Sequence, residues 1–418
     1  MARMVGDGEV SGKRILEYAL ISLLLSGTLF YTDRFGWTQP LLMGSSLLLM
    51  VVLGVVINVK VRLNTNAWHI FMLLSFFSIV SSGVNSEVDL LLRAGTLFLS
   101  FIGCVVLVPP LMLRCFSGKA PMEILVHYLF LSHYPLVVLP LLTGGFVLTS
   151  WGAYQGMFYN PNALGLVIIT ILAAHFAEVI DVIENWVLEH RGPSRLFLFT
   201  RIIGMTCLLF LIIMSRSRTA IITFGVLFIV SLFVIVSHGF DKGKINVRRF
   251  SKGFRIATFS LLIILLLYFL TPLGALFERN IISKFLYRSS DILDGRGDVW
   301  RYTIEHATLF GHGRGFFDQT ITAHNTYISL LGQYGIIPTC FFIIFQFHIF
   351  RSMLKFSRKA NRRKLRHFPL LMFMVFNLLS MTEGMLYKAS MYLEFMSFGI
   401  ASYELYVYKR TTELERSG

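Results

Sequence analysis

A histidine and an asparagine open the stretch His324-Asn325-Thr326-Tyr327-Ile328-Ser329-Leu330-Leu331-Gly332-Gln333-Tyr334-Gly335-Ile336-Ile337, where a long polar segment gives way to an apolar one. Histidine exchanges a proton near neutral pH, so His324 is a candidate general base. Asn325 suits either ligand binding or the capping of a helix that follows it. A second cluster, Ser215-Arg216-Ser217-Arg218-Thr219-Ala220, sits in a tight turn between two apolar runs. Guanidinium is always charged and matches phosphate oxygens with a planar fork. Arg216 and Arg218 are therefore candidates to hold a diphosphate, the plain alternative being arginines that snorkel at a membrane edge.

Three further stretches carry polar groups of the same kind. The segment 275–324 supplies Arg288, then Asp294-Gly295-Arg296-Gly297-Asp298-Val299-Trp300, then Gly311-His312-Gly313-Arg314-Gly315-Phe316-Phe317. Its glycines permit tight turns and close backbone approach to a ligand, and Arg288, Arg296 and Arg314 are candidate anion ligands. It is no dinucleotide fingerprint, because no strand precedes it. Tyr159-Asn160-Pro161-Asn162 marks a helix start, with proline at the first helical position; its amides and ring also suit sugar binding. Glu394 lies inside an apolar run, with Lys388 near the end of that run and Glu383 just beyond. A buried charge in such a place is functional or is paired with an arginine from another helix.

The elements that must position these groups are membrane helices. The chain has 418 residues, 55% hydrophobic and 15% charged, with a mean hydropathy of +0.67; a soluble domain carries about 25% charged residues. Continuous apolar runs such as Ala94–Leu113 and Ile256–Leu270 approach the ~20 residues a crossing needs. A β-barrel would show short alternating segments instead. The expected fold is all-α and polytopic, a single integral membrane domain of roughly twelve spans. They lie near 15–31, 40–58, 67–83, 94–113, 122–148, 161–180, 196–214, 219–237, 255–274, 325–350, 368–382 and 386–408. A long extracytoplasmic loop, 275–324, joins the ninth span to the tenth, and Val299–Leu309 within it reads as a short amphipathic helix. The cysteines Cys104, Cys115, Cys207 and Cys340 form no CxxC pair, so neither a disulfide framework nor a zinc site is indicated.

The net charge of +15 is placed for topology rather than for nucleic acid. Lys13/Arg14, Lys60/Arg62, the cluster from Lys242 to Arg255, the cluster from Arg351 to Arg366, and Lys409/Arg410 all fall on one side if twelve spans are threaded. Such loops are cytoplasmic because Lys and Arg resist translocation, and they add contact with anionic lipid. Both termini are then inside. The 149–160 loop, the Ser215–Thr219 turn, the 275–324 loop and the Thr382–Glu383 link face outward.

Taken in order, Asn160-Pro161-Asn162, Ser215-Arg216-Ser217-Arg218-Thr219-Ala220, Gly295-Arg296 with Trp300, Gly311-His312-Gly313, and His324-Asn325-Thr326-Tyr327 through Gly335-Ile336-Ile337 resemble the O-antigen ligase and polysaccharide polymerase superfamily of bacterial membrane glycosyltransferases. The resemblance covers about residues 150–350. It implies a fold related to the C-type glycosyltransferases and a place in the cytoplasmic (inner) membrane, with the active site outward. It implies a donor, an undecaprenyl-diphosphate-linked oligosaccharide, whose glycan passes to an acceptor hydroxyl without nucleotide sugar, cofactor or metal. The family's functional arginines fall on Arg216 or Arg218, with Arg218 favoured, and on Arg288 or Arg296. Its histidine falls on His324. Asn160, Asn162, Tyr159, Asn325 and Arg314 are the substrate-binding candidates.

Two activities fit these motifs. A polymerase joins repeat units of O-antigen, capsule or exopolysaccharide, and is the expected reading; a ligase moves a finished glycan onto lipid A core. A chain-length regulator is a candidate further partner. A secondary transporter is the minor alternative, disfavoured because such folds show internal repeats and none is visible here.

Overall fold

A computed structural model of the chain describes residues 2–32, 38–59, 65–116, 118–143, 148–149, 152–189, 195–241, 274–275, 278, 296–317, 323–359 and 363–417. Among them the protein is helical, with one isolated bridge between Leu148 and Tyr154 and no strand. In chain order the helices are α1 (Ala2–Leu29), α2 (Gln39–Val56), α3 (Thr65–Val84), α4 (Val88–Phe101), a π-helical turn (Ile102–Leu107), α5 (Val108–Cys115), α6 (Pro121–Leu142), α7 (Pro161–Glu189), α8 (Arg195–Ser215), α9 (Arg218–Asp241), α10 (Arg296–Glu305), α11 (Thr326–Tyr334), α12 (Ile336–Lys359), α13 (Phe368–Ser380) and α14 (Ala389–Ser417). The chain divides into two compact units, one of Met1–Leu136 with Gly295–Gly418, the other Val137–Asp294.

Seven helical stretches among the described residues are long and apolar enough to cross a membrane: Gln39–Val56, Asn66–Val84, Val88–Cys115, Pro121–Leu142, Pro161–Asn185, Arg218–Val236 and Ile336–Lys359. Phe199–Ser215 and Phe368–Ser380 are shorter apolar helices. The protein is thus an all-α chain of polytopic membrane type. Large apolar side chains point outward from these helices, Val55 and Val56 at 75% exposure and Phe233 at 69%. Such surfaces are costly in water but natural against lipid. Of the spans expected from sequence, 255–274 lies outside the described residues except for Gly274. The span expected at 325–350 is not one helix: it breaks at Gly335 into α11 and α12. The amphipathic helix expected over Val299–Leu309 begins and ends earlier, as α10.

The first unit packs around four rings. Phe71 of α3 stacks on Phe101 of α4 at 3.8 Å, and Phe345 of α12 lies 5.2 Å from Phe71 and 5.9 Å from Phe395 of α14. All four are buried. In lipid there is little water to expel, so helices associate through dispersion contacts and close backbone approach. That approach explains two glycines. A Cβ on Gly27 of α1 would lie 2.7 Å from Ala389 Cα, and one on Gly399 of α14 would lie 2.8 Å from Val105 in the π turn. The π turn has its own cause in Pro109 and Pro110, whose rings would strike the carbonyls four residues earlier in a regular helix. A wider turn just before the pair relieves that clash.

The second unit is built on α7, most of whose membrane-length portion is buried. Gly165 lets α9 cross it closely, since a Cβ there would be 2.9 Å from those of Ser217 and Ala220. Farther along α7, Glu178 accepts a hydrogen bond from Arg201 of α8 at 2.8 Å and lies 3.2 Å from His175.

Candidate functional site

In the first unit the polar residues converge where α11 begins. Asn325 is the N-cap: its Oδ1 accepts from the backbone N–H groups of Tyr327 at 2.9 Å and Ile328 at 3.1 Å. A cap satisfies donors that the first turn leaves open. The Asn325 Nδ2 donates in turn to the carbonyl of Met381 at 3.0 Å, so the same side chain tethers the link between α13 and α14. Thr326 adds two bonds to that link, donating from its hydroxyl to the Glu383 carbonyl at 3.0 Å and accepting from the Met385 N–H at 2.9 Å. Arg296, the first residue of α10, donates from Nη1 to the Thr382 carbonyl at 2.8 Å.

This framework presents the Glu383 carboxylate to two of the residues singled out from sequence. Its Oε2 lies 3.2 Å from His324 Nδ1, and its Oε1 lies 3.8 Å from Arg296 Nη2. The His324 side chain is 45% exposed, against 16% for Glu383 and 23% for Arg296. The backbone of His324 is in the left-handed region, φ 44°, followed by an extended Asn325 at φ −156°. Few non-glycine residues adopt that region, and those that do are often held there at functional sites. The arrangement can accept a proton from a hydroxyl at the exposed side of the ring. It also holds a cationic group beside it.

α11 is held at its far end as well. Gly335 has φ 95°, and a Cβ there would strike the backbone of Leu309 and Gly311. His312 and Gly313 donate their backbone N–H groups to the carbonyls of Gly332 and Gln333, while Ile336 and Ile337 donate to Thr308 and Leu309. The Gly311-His312-Gly313 motif is therefore a backbone splice across the break after α11. Beneath it the rings of Tyr302, Phe316 and His312 stack, with centroids 5.6 and 4.8 Å apart.

Arg314 is not part of the His324 group. Its guanidinium pairs with Asp89 and its backbone N–H donates to Glu87 at 2.8 Å, which anchors the glycine loop to the start of α4. Glu394 also differs from one expectation: its partners are Gln346 and Asn377, each at 3.4 Å, rather than an arginine. The network continues to Tyr327, whose hydroxyl donates to Asn377 Oδ1. Four helices, α11 to α14, meet in it.

The second unit holds the other candidates. α8 ends at Ser215 and α9 begins at Arg218, leaving only Arg216 and Ser217 between them. Arg216 has φ 54°, and a Cβ on Gly152 would lie 3.6 Å from its Nη2, so its guanidinium reaches the 152–160 segment. That segment is fixed on the end of α8 by the Tyr154 N–H donating to the Met214 carbonyl at 2.9 Å. Burial raises the Tyr154 phenol above its ordinary pKa. Asn160 caps α7, its Oδ1 accepting from the Ala163 N–H at 2.7 Å. Tyr159 is exposed and Asn162 half-buried on either side. Arg288 lies outside the described residues.

Glu383 lies on the link expected to face outward, but its pairing with His324 is invisible in the sequence because the partner lies 59 positions away. Its only sequence signal is an acidic residue in a short link between two apolar runs. Among the described residues no group of three or more His, Cys, Asp or Glu could hold a metal ion. Comparison with protein-family models and with curated proteins finds no match to this chain.

Proposed function

We propose that the protein is a membrane glycosyltransferase that moves a glycan from an undecaprenyl-diphosphate carrier to an acceptor sugar hydroxyl at the outer face of the bacterial cytoplasmic membrane. The observation that carries this reading is the His324–Glu383–Arg296 group at the head of α11. In it a histidine and a guanidinium, the latter of a kind that suits phosphate, share one carboxylate. The ordered motifs from Asn160 to Ile337 support it further. In this reading twelve spans place both termini inside and the Arg216–Ser217 turn, the 275–324 loop and the Thr382–Glu383 link outside.

The chemistry is a displacement at the anomeric carbon. His324 takes the proton of the acceptor hydroxyl as its oxygen bonds to that carbon. The bond from the carbon to the phosphate oxygen breaks, and the electron pair leaves with the lipid diphosphate. Arg296 stabilises the charge gathered on that leaving group. The proton passes from His324 directly to water, since the ring is exposed. Asn160, Asn162 and Tyr159 suit contacts with sugar rings.

Polymerisation of repeat units is the expected form of the reaction and ligation to lipid A core the other. Purified protein in liposomes is given lipid-diphosphate-linked repeat units, with and without lipid A core, and the products are separated on a gel. A ladder without core identifies a polymerase. A single shifted band that needs core identifies a ligase. No product in either lane, across repeat units of several sugar compositions, refutes the glycosyltransferase reading.

A further inference from the structure

We infer that Glu383 is the positioning residue of a histidine–carboxylate pair, fixing the tautomer and direction of the His324 ring so that its Nε2 is the nitrogen that meets the acceptor hydroxyl. This rests on the glycosyltransferase reading for its reaction, but its geometry stands alone. An ionised carboxylate only accepts hydrogen bonds, so the 3.2 Å approach of Glu383 Oε2 to His324 Nδ1 puts the ring proton on Nδ1. Nε2 is then left with a lone pair, on a ring that is 45% exposed.

The backbone that carries the carboxylate is held from several directions. Its own carbonyl accepts from the Thr326 hydroxyl, the carbonyl before it accepts from Arg296 Nη1, and the carbonyl before that accepts from Asn325 Nδ2. Two of these donors directly follow His324 in the chain. The dyad and its tethers are therefore one unit: the residues that aim the histidine also fix the glutamate it must meet. On the other side Arg296 Nη2 lies 3.8 Å from Oε1, which keeps that oxygen turned away from the ring. The left-handed backbone of His324 is the cost of turning the ring back toward a link 59 residues downstream.

When the proton arrives, Glu383 faces an imidazolium and stabilises it without taking the proton itself. An amide in its place would offer an N–H to Nδ1 and select the opposite tautomer. Glu383→Gln would thus leave the ring in place but leave its outer nitrogen protonated and unable to act as base.

The test has two independent readouts. Protein labelled with ¹⁵N-histidine, with the His324 signal assigned by its loss in His324→Gln, reports the tautomer without any substrate. The expected result is an Nδ1–H ring in the native protein and an Nε2–H ring in Glu383→Gln. A native Nε2–H ring, or a tautomer indifferent to the substitution, overturns the inference. In the transfer assay Glu383→Gln is expected to lower kcat by about 10²-fold with KM within twofold, while Glu383→Asp recovers part of the loss. Transfer within threefold of native in Glu383→Gln overturns it too. If Glu383→Gln does not fold, Glu383→Asp carries the same two measurements, with the Nδ1–H tautomer kept and kcat intermediate. Native protein that shows the Nδ1–H tautomer but no transfer refutes the glycosyltransferase reading and leaves the pair standing.

Discussion

Removing the Asn325 side chain should loosen the head of α11 by an amount that can be read residue by residue. The amide does two separable things. Oδ1 caps the helix through Tyr327 and Ile328, and Nδ2 tethers the carbonyl of Met381. A cap of this kind is worth about 1 kcal/mol, and a buried neutral hydrogen bond about another 1 kcal/mol. Asn325→Ala loses both, about 2 kcal/mol, or roughly 30-fold in the local opening equilibrium. Asn325→Asp keeps an acceptor for the cap and adds a favourable charge at a helix N-terminus worth about 0.5 kcal/mol, while its second oxygen faces the Met381 carbonyl where a donor stood, a loss of about 2 kcal/mol. Its net cost is about 1.5 kcal/mol, or roughly tenfold. Hydrogen exchange of the peptide spanning 323–334 measures this directly, because exchange in such a segment proceeds through local opening. The expected order of protection is native, then Asp about tenfold lower, then Ala about 30-fold lower. Equal protection in Asn325→Ala and native protein would refute the claim that this side chain holds the helix start.

Three other outcomes follow from contacts already described. Gly335→Ala puts a Cβ into the Leu309 and Gly311 backbone at φ 95° and should cost about 3 kcal/mol or more, seen as a large fall in Tm in detergent. The Arg314–Asp89 pair is more than half exposed on both sides, so a double-mutant cycle should give a coupling of at most about 1 kcal/mol that shrinks with added salt. Glu394→Gln puts an amide N–H opposite one of the two amides that donate to this carboxyl and should lower stability by about 1 kcal/mol. Glu394→Ala leaves the Gln346 amide without that acceptor in an apolar interior and should lower it by about 2 kcal/mol, measured by thermal unfolding in the same detergent.

The parts that could be read from sequence are those with a local cause. Asn160 before Pro161 announces the start of α7, and Asn325 announces the start of α11; each cap is made by atoms within three residues. The tight turn at Arg216 is visible because two apolar runs leave no room for a longer one. The break at Gly335 is not visible, since the apolar residues continue across it and hydropathy does not register backbone direction. What reveals it is the positive φ and the splice to 308–313, both of which are properties of the folded chain. The same reason hides Glu383 and the anchoring of Arg314, whose partners come from distant segments. Charge alone marks these residues as costly to bury and does not say which opposite charge meets them.

The division of 325–350 at Gly335 also bears on how the bilayer acts upon the site. α12 has 24 residues, about 36 Å, and is long enough to cross the hydrocarbon by itself; α11 has nine, about 14 Å, and is too short to cross. A helix that spans a membrane tilts when lipid thickness changes, and an unbroken segment would carry His324 through that tilt at the end of a long lever. Here the lever is shortened and braced. The head of α11 is bonded to the 381–385 link, and the 308–313 loop is bonded to both sides of Gly335, so His324 and Glu383 are held to the same link and move with it together.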